Sequence, residues 1–140
     1  MNQRRKGLLL GLFSLLLLAA SVAIGYAALP PAAGELELAT TEYDFGRVPN
    51  TQAVSQVFEV RNAGRGPLEI TGVSTSCGCT TATVASDHLA PGAATELTVT
   101  YDPLAHDGAL GEFLRLVYIR SDDPKTPEAS FTIRVTVVEP

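Results

Sequence analysis

Cys77 and Cys79, separated only by Gly78, are the residues of this chain with the most chemistry to offer. In an extended segment, side chains two apart leave the same face about 6.6 Å from one another, so both thiols would point together. Three outcomes compete. A disulfide needs its Cα atoms within roughly 4.4–6.8 Å, which a turn at Gly78 would supply. A pair of thiolates would instead suit a soft ion such as Cu(I), and two small buried core residues are the third reading. As a structural staple the bond would contribute little, because closing so short a loop removes little chain entropy. Its small ring would also leave it relatively reducible. Zinc asks for about four protein ligands, and the chain has only two thiols and two histidines distant from them in sequence, which makes zinc a poor fit.

The remaining chemistry-bearing residues are sparse. His88 follows Asp87 just ahead of the Pro91-Gly92 turn, and His106 sits in the loop from Asp102 to Gly111; both read as solvated surface histidines. A cysteine nucleophile with His88 as its base can be written down, but nothing in the sequence requires the two to meet. There is no Gly-x-Ser-x-Gly elbow and no His-Glu-x-x-His. Asp122-Asp123-Pro124 lacks the alternating acidic pattern of a calcium loop and reads as a turn cap. Asn62-Ala63-Gly64-Arg65-Gly66-Pro67 matches neither a phosphate loop nor a dinucleotide fingerprint. It reads as a turn, with Asn62 bonding nearby backbone and Gly64 and Gly66 supplying positive φ. The expectation is a protein without catalytic residues and without a cofactor.

The elements that must position these residues are strands. Apolar side chains recur at period two in Val54, Phe58 and Val60, in Leu68 and Ile70, in Leu97, Val99 and Tyr101, and in Phe131, Ile133, Val135 and Val137. The breaks between them carry Gly, Pro, Asn and Asp. The pattern predicts about seven strands: Glu35 to Leu38, Glu42 to Val48, Ala53 to Asn62, Leu68 to Thr75, Thr95 to Tyr101, Phe113 to Arg120 and Phe131 to Val138. Short strands at this spacing form an immunoglobulin-like antiparallel β-sandwich, an all-β fold over residues 35–140 with a closed barrel as the alternative. No buried tryptophan or far-apart cysteine pair of an antibody-type domain is present. Phe45-Gly46 places one aromatic in the core, with the glycine allowing a bulge or close backbone approach.

Ahead of the strands, Arg4-Arg5-Lys6 precedes an uncharged apolar run from Gly7 to Leu29. As one hydrophobic helix over residues 1–29 this run is long enough to span a bilayer core of about 30 Å, which favours a retained anchor over a cleaved signal. Gly25-Tyr26-Ala27 nevertheless has the small residues of a cleavage site, leaving release after Ala27 as the alternative. The basic head stays cytoplasmic, so the remainder is expected outside the bacterial inner membrane, in the periplasm or beyond. Pro30-Pro31-Ala32-Ala33-Gly34 reads as a linker over 30–34. The chain has 140 residues and a net charge of −5, and its exported part is more acidic still because Arg4, Arg5 and Lys6 precede it. That balance excludes a dedicated nucleic-acid binder, and the length allows one ordinary domain rather than a multidomain enzyme.

Read together, Tyr43-Asp44-Phe45-Gly46-Arg47-Val48, Arg61-Asn62-Ala63-Gly64, Pro67-Leu68-Glu69-Ile70, Ser76-Cys77-Gly78-Cys79-Thr80, Pro91-Gly92 and Ser121-Asp122-Asp123-Pro124 resemble the bacterial domain of unknown function 1573. The Ser-Cys-Gly-Cys-Thr block between Asn-x-Gly and Pro-Gly is the most specific part. Thr51 and Asp122 depart from the family's usual glycine and asparagine. The resemblance implies a fold like the immunoglobulin-like domains of the ASH and major-sperm-protein type, which bind partners, and it assigns no activity. The expected function is a non-catalytic interaction module tethered to the membrane by its N-terminal helix and engaging another envelope protein. The rival expectation is a thiol redox or Cu(I)-handling protein using Cys77 and Cys79.

Overall fold

Alternation of apolar and polar side chains, rather than helix propensity, builds this protein, and the computed structural model places the inward set in two facing sheets. The structure describes Ser14, Leu15 and residues 31–140. The expectations about a membrane-spanning helix and about cleavage after Ala27 rest on residues that lie, apart from Ser14 and Leu15, outside the described ones. Among the described residues no helix is long and apolar enough to cross a membrane.

The strands among the described residues are β1 (Leu36–Leu38), β2 (Glu42–Pro49), β3 (Val54–Asn62), β4 (Leu68–Thr75), β5 (Thr80–Val84), β6 (His88–Leu89), β7 (Ala94–Tyr101), β8 (Gly111–Ser121) and β9 (Glu128–Val138). A single 3₁₀ turn, Pro103–His106, interrupts them. The four-stranded sheet has the order β1-β3-β7-β5 and the five-stranded sheet β2-β9-β8-β4-β6. Two strands escaped the sequence reading. In β5 the inward positions are Ala82 and Val84 beside outward Thr81 and Thr83, a weak contrast, and β6 has only two residues. The pairing is antiparallel except where β2 runs parallel to β9, a pair far apart in sequence that no hairpin constrains.

The core lies between the sheets. Val60, Leu97, Val99 and Tyr101 from one sheet meet Val117, Ile119, Phe131, Ile133, Val135 and Val137 from the other, all buried. Phe58 points inward as its period demands but is only half-buried, packed edge-to-face against Tyr43, with ring centroids 5.1 Å apart, and tilted against Phe131 at 4.9 Å. At Gly46, whose φ is +69°, the β2–β9 register shifts between Asp44 and Arg47, and the Asp44 carboxylate accepts the Gly46 N–H at 2.7 Å. A bulge there re-aims the strand, and glycine alone adopts that φ without a steric cost.

Gly64 and Gly66 do not have positive φ, contrary to the sequence expectation. They are required for close approach instead. A Cβ on Gly66 would collide with the Ala32 carbonyl, and one on Gly64 would meet the Glu35 amide nitrogen at 2.5 Å. The stretch read as a linker is thus engaged at its end: the Ala33 carbonyl accepts N–H bonds from Arg65 at 3.1 Å and Gly66 at 2.9 Å.

Candidate functional site

Apart from Phe45 and Gly46 within β2, the motif residues fall into two groups at opposite ends of the sandwich. In the β3–β7 pairing Arg61 lies across from Ala94 at one end, while Val54 faces Tyr101 at the other, where Thr80 also pairs with Tyr101. Asn62 therefore belongs to one end and Cys77–Cys79 to the opposite one.

At the first end Asn62 is fully buried, and its side-chain amide is saturated. Its oxygen accepts N–H bonds from Glu35 at 3.1 Å and Gly64 at 2.9 Å, and its nitrogen donates to the carbonyls of Gly66 at 2.8 Å and Leu89 at 3.0 Å. The Asn62 backbone carbonyl accepts the Gly92 N–H at 2.9 Å, so the Pro91-Gly92 turn, with Gly92 at φ +77°, closes on the same hub. Beside it Asp123 is 1% exposed and holds the N–H groups of Leu36 and Lys125 at 2.8 Å and Thr126 at 3.2 Å. Burial pushes this carboxyl up, but the three backbone donors outweigh burial and hold it below the usual carboxylate value. Asp122 accepts the Glu69 N–H at 2.8 Å. These oxygens are committed to backbone, as caps.

At the second end, β4 leaves the five-stranded sheet at Thr75 and the chain crosses to β5 through Ser76-Cys77-Gly78-Cys79. The Thr80 N–H bonds the Cys77 carbonyl at 3.2 Å, and the Thr75 hydroxyl donates to the carbonyls of Cys77 at 3.0 Å and Thr80 at 2.7 Å. This turn draws the Cα atoms of Cys77 and Cys79 to 5.2 Å, and the pair is a disulfide. Of the readings the sequence left open, the structure has the bonded one, and Cys79, 2% exposed, also packs in the core. Cys77 is half-buried and the flanking Ser76 and Gly78 are exposed.

Two partners of this disulfide carried no signal in the sequence. His106 Nε2 lies 2.9 Å from Cys77 Sγ, and Arg115 Nε donates to Cys79 Sγ at 3.2 Å. His106 is delivered by the 3₁₀ turn, which Asp102 caps by accepting the Leu104 N–H at 3.0 Å and which Asp107 ends in the left-handed region. Arg115 comes from β8, its guanidinium 5.0 Å from the Phe113 ring centroid. The sequence had treated His106 as a solvated bystander; the structure makes it the disulfide's neighbour. His88, the histidine that the sequence allowed as a base for a cysteine, sits exposed in β6 opposite Glu69, and it is His106 that meets Cys77 Sγ. Ser76, Cys77, Gly78, His106 and Arg115 line an open cleft. Tyr101, buried behind it, has its phenol pushed up by burial, with Arg115 partly opposing.

The profile of a family described as protein of unknown function, DUF1573, matches residues 36–137. A protein of unknown function from Porphyromonas gingivalis W83 is similar to this chain at 27% identity with a TM-score of 0.69, over 79% of this chain and 50% of that one. The chain thus spans half the length of that protein. The ASH / PapD-like domain 7 of human CEP192 superposes with a TM-score of 0.62 at 12% identity, covering 81% of this chain and 91% of the domain. The chaperone YadV does so with a TM-score of 0.51 at 14% identity, over 74% and 51% of the respective chains. These last likenesses are of fold: the chain is an immunoglobulin-like β-sandwich. No curated protein matches it.

Proposed function

This chain belongs to the DUF1573 family, and from that premise we propose that it is a non-catalytic protein-interaction module, held at the outer face of a bacterial inner membrane by its N-terminal apolar segment. In this reading an extended segment of another envelope protein adds to the free edge of β5 (Thr80–Val84).

The observation that carries it is the contrast among the sheet edges. An unpaired edge is a template for a further strand, and proteins blunt such edges by shortening or bulging them. Here β1 has three residues and β6 two, while β2 is broken by the bulge at Gly46. β5 has none of these protections. It pairs with β7 through an unbroken register from Thr80–Tyr101 to Val84–Leu97 and, among the described residues, is hydrogen-bonded to a strand on that side only. Strand addition would take affinity from backbone hydrogen bonds and selectivity from alternate side chains, here the exposed Thr81 and Thr83. Tethering rests on the run from Gly7 to Leu29 behind Arg4-Arg5-Lys6, whose length and charge favour an anchor with the β domain outside.

A photo-crosslinking side chain placed in cells at Thr81 or Thr83, against controls at Glu59 and Glu69 on other exposed strand faces, tests the edge. A discrete adduct from the β5 positions alone, in the membrane fraction and resistant to salt extraction, is the expected result. Adducts of equal yield from all four positions would remove β5 as the docking edge. A mature N-terminus at Ala28 in mass spectrometry would remove the anchor.

A further inference from the structure

We propose that Cys77 and Cys79, once reduced, form with His106 a three-ligand site for Cu(I), with Arg115 as its charge-balancing neighbour. Three observations converge. The ligand atoms of Cys77, Cys79 and His106 all lie within 4.8 Å of one another, the one such group among the described residues. The imidazole presents Nε2, a ligating nitrogen, to Cys77 Sγ at 2.9 Å. Both Ser76 and Gly78 are exposed and the cleft they line is open, so an ion carrier has access.

Ligand type and charge choose the ion. Thiolates are soft donors that select Cu(I), and imidazole suits copper as well. Two thiolates, a neutral imidazole and Cu(I) leave one negative charge, which the Arg115 guanidinium cancels while its Nε–H hydrogen-bonds the Cys79 sulfur. Such outer hydrogen bonds orient ligands and tune the metal. Zn(II) in the same place would make a neutral centre, leaving the Arg115 charge uncancelled, and would want a fourth ligand, which the group does not contain. Cu(I) accepts a trigonal set, for which sulfur and nitrogen atoms need only open to separations of about 3.5–4 Å, given metal–ligand bonds of about 2.0–2.3 Å. Cys77 and His106 sit on exposed turns that can supply this.

The disulfide makes the site conditional. A dithiol reductant passes two electrons and two protons to the Cys77–Cys79 bond, giving two thiols and leaving itself a disulfide. Each thiol then releases its proton to solvent as Cu(I) binds, so loading is favoured by rising pH. Oxidised, both sulfurs are bonded to each other and the site is closed.

The test uses the full-length chain in detergent, reduced with dithiothreitol, desalted without oxygen and titrated with Cu(I) against bicinchoninate. One Cu(I) per chain is expected, with X-ray absorption showing two sulfur neighbours and one nitrogen. The untreated disulfide form should not compete. His106→Ala and Arg115→Gln should each weaken Cu(I) by about tenfold or more, with Arg115→Lys recovering part of the loss. Circular dichroism confirms that each variant is folded; His106 is exposed and tolerates replacement. Zn(II) bound as tightly as Cu(I), affinity unchanged in His106→Ala, or a folded reduced protein that leaves all copper with bicinchoninate would each overturn the assignment.

Discussion

The two ends of the sandwich use polar residues in opposite ways. Around Asn62 and Asp123 each side-chain oxygen and nitrogen is consumed by backbone groups under full burial. Around Cys77 and His106 the polar atoms contact one another at a half-open surface. Saturated buried polar groups hold architecture, because losing one strands its partners in a low-dielectric interior. Partly exposed contacts between reactive side chains hold little architecture and leave their chemistry available.

The largest expected effect breaks the first end. Asn62→Ala strands the Glu35 and Gly64 N–H groups and the Gly66 and Leu89 carbonyls. At about 1–3 kcal/mol per buried unsatisfied group, not fully additive, the cost is about 4 kcal/mol in urea unfolding. Asn62→Asp should be no milder, since a carboxylate would face two carbonyls. A loss under about 1 kcal/mol would mean that water replaces the amide and that this end is not a hub.

Next comes Phe58→Ala. The alternation of β3 already placed Phe58 inward, and the structure keeps that register but leaves the ring half-buried against Tyr43 and Phe131. The expected loss is about 2–3 kcal/mol, below the 3–5 kcal/mol of a fully buried aromatic. A thermal shift indistinguishable from that of Glu59→Gln would refute the register.

Asp123→Asn turns one acceptor into a donor facing an N–H, and at neutral pH it should cost about 2 kcal/mol, the scale of a hydrogen bond to a charged group. Its pH dependence has a definite sign. A carboxyl held below its unfolded value contributes stability that is complete above the unfolded value of about 4 and is lost as pH falls through the folded one. The gap between parent and variant should therefore be constant from pH 6 to 8 and shrink below about pH 4. A gap that widens on acidification would contradict the three backbone donors as the cause.

The same contrast explains what the sequence disclosed. The strands β1–β4 and β7–β9 were legible because one residue in two is strongly apolar; β5 was not, because Thr-Thr-Ala-Thr-Val gives little contrast between its faces. Asn62 and the Cys-Gly-Cys block are conspicuous by type and spacing, and a turn that brings the cysteines within bonding reach, here to 5.2 Å, is one of the outcomes that spacing allows. Gly64 and Gly66 were assigned the wrong freedom, since what they admit is the Ala32–Ala33 backbone, a contact no local pattern announces. His106 and Arg115 stand 29 and 36 residues from the cysteines they touch, and only the folded topology brings them there.

The smallest effects belong to the second end, where they sharpen the comparison most. Replacing Cys77 and Cys79 together by serine opens a loop of only three residues, worth about 1–2 kcal/mol by loop entropy, with a further contribution because Cys79 is buried. His106→Ala removes an exposed ring whose contact is to a sulfur, and its effect on the melting midpoint should correspond to less than about 0.5 kcal/mol. The same substitution should nonetheless change the reactivity of the reduced Cys77 thiol toward iodoacetamide. A ring nitrogen 2.9 Å from the sulfur is within hydrogen-bond reach of the reduced thiolate, so its loss should slow alkylation. A His106→Ala variant that loses as much stability as Asn62→Ala, with an unchanged alkylation rate, would make the cysteine end architecture like the other and erase the distinction between them.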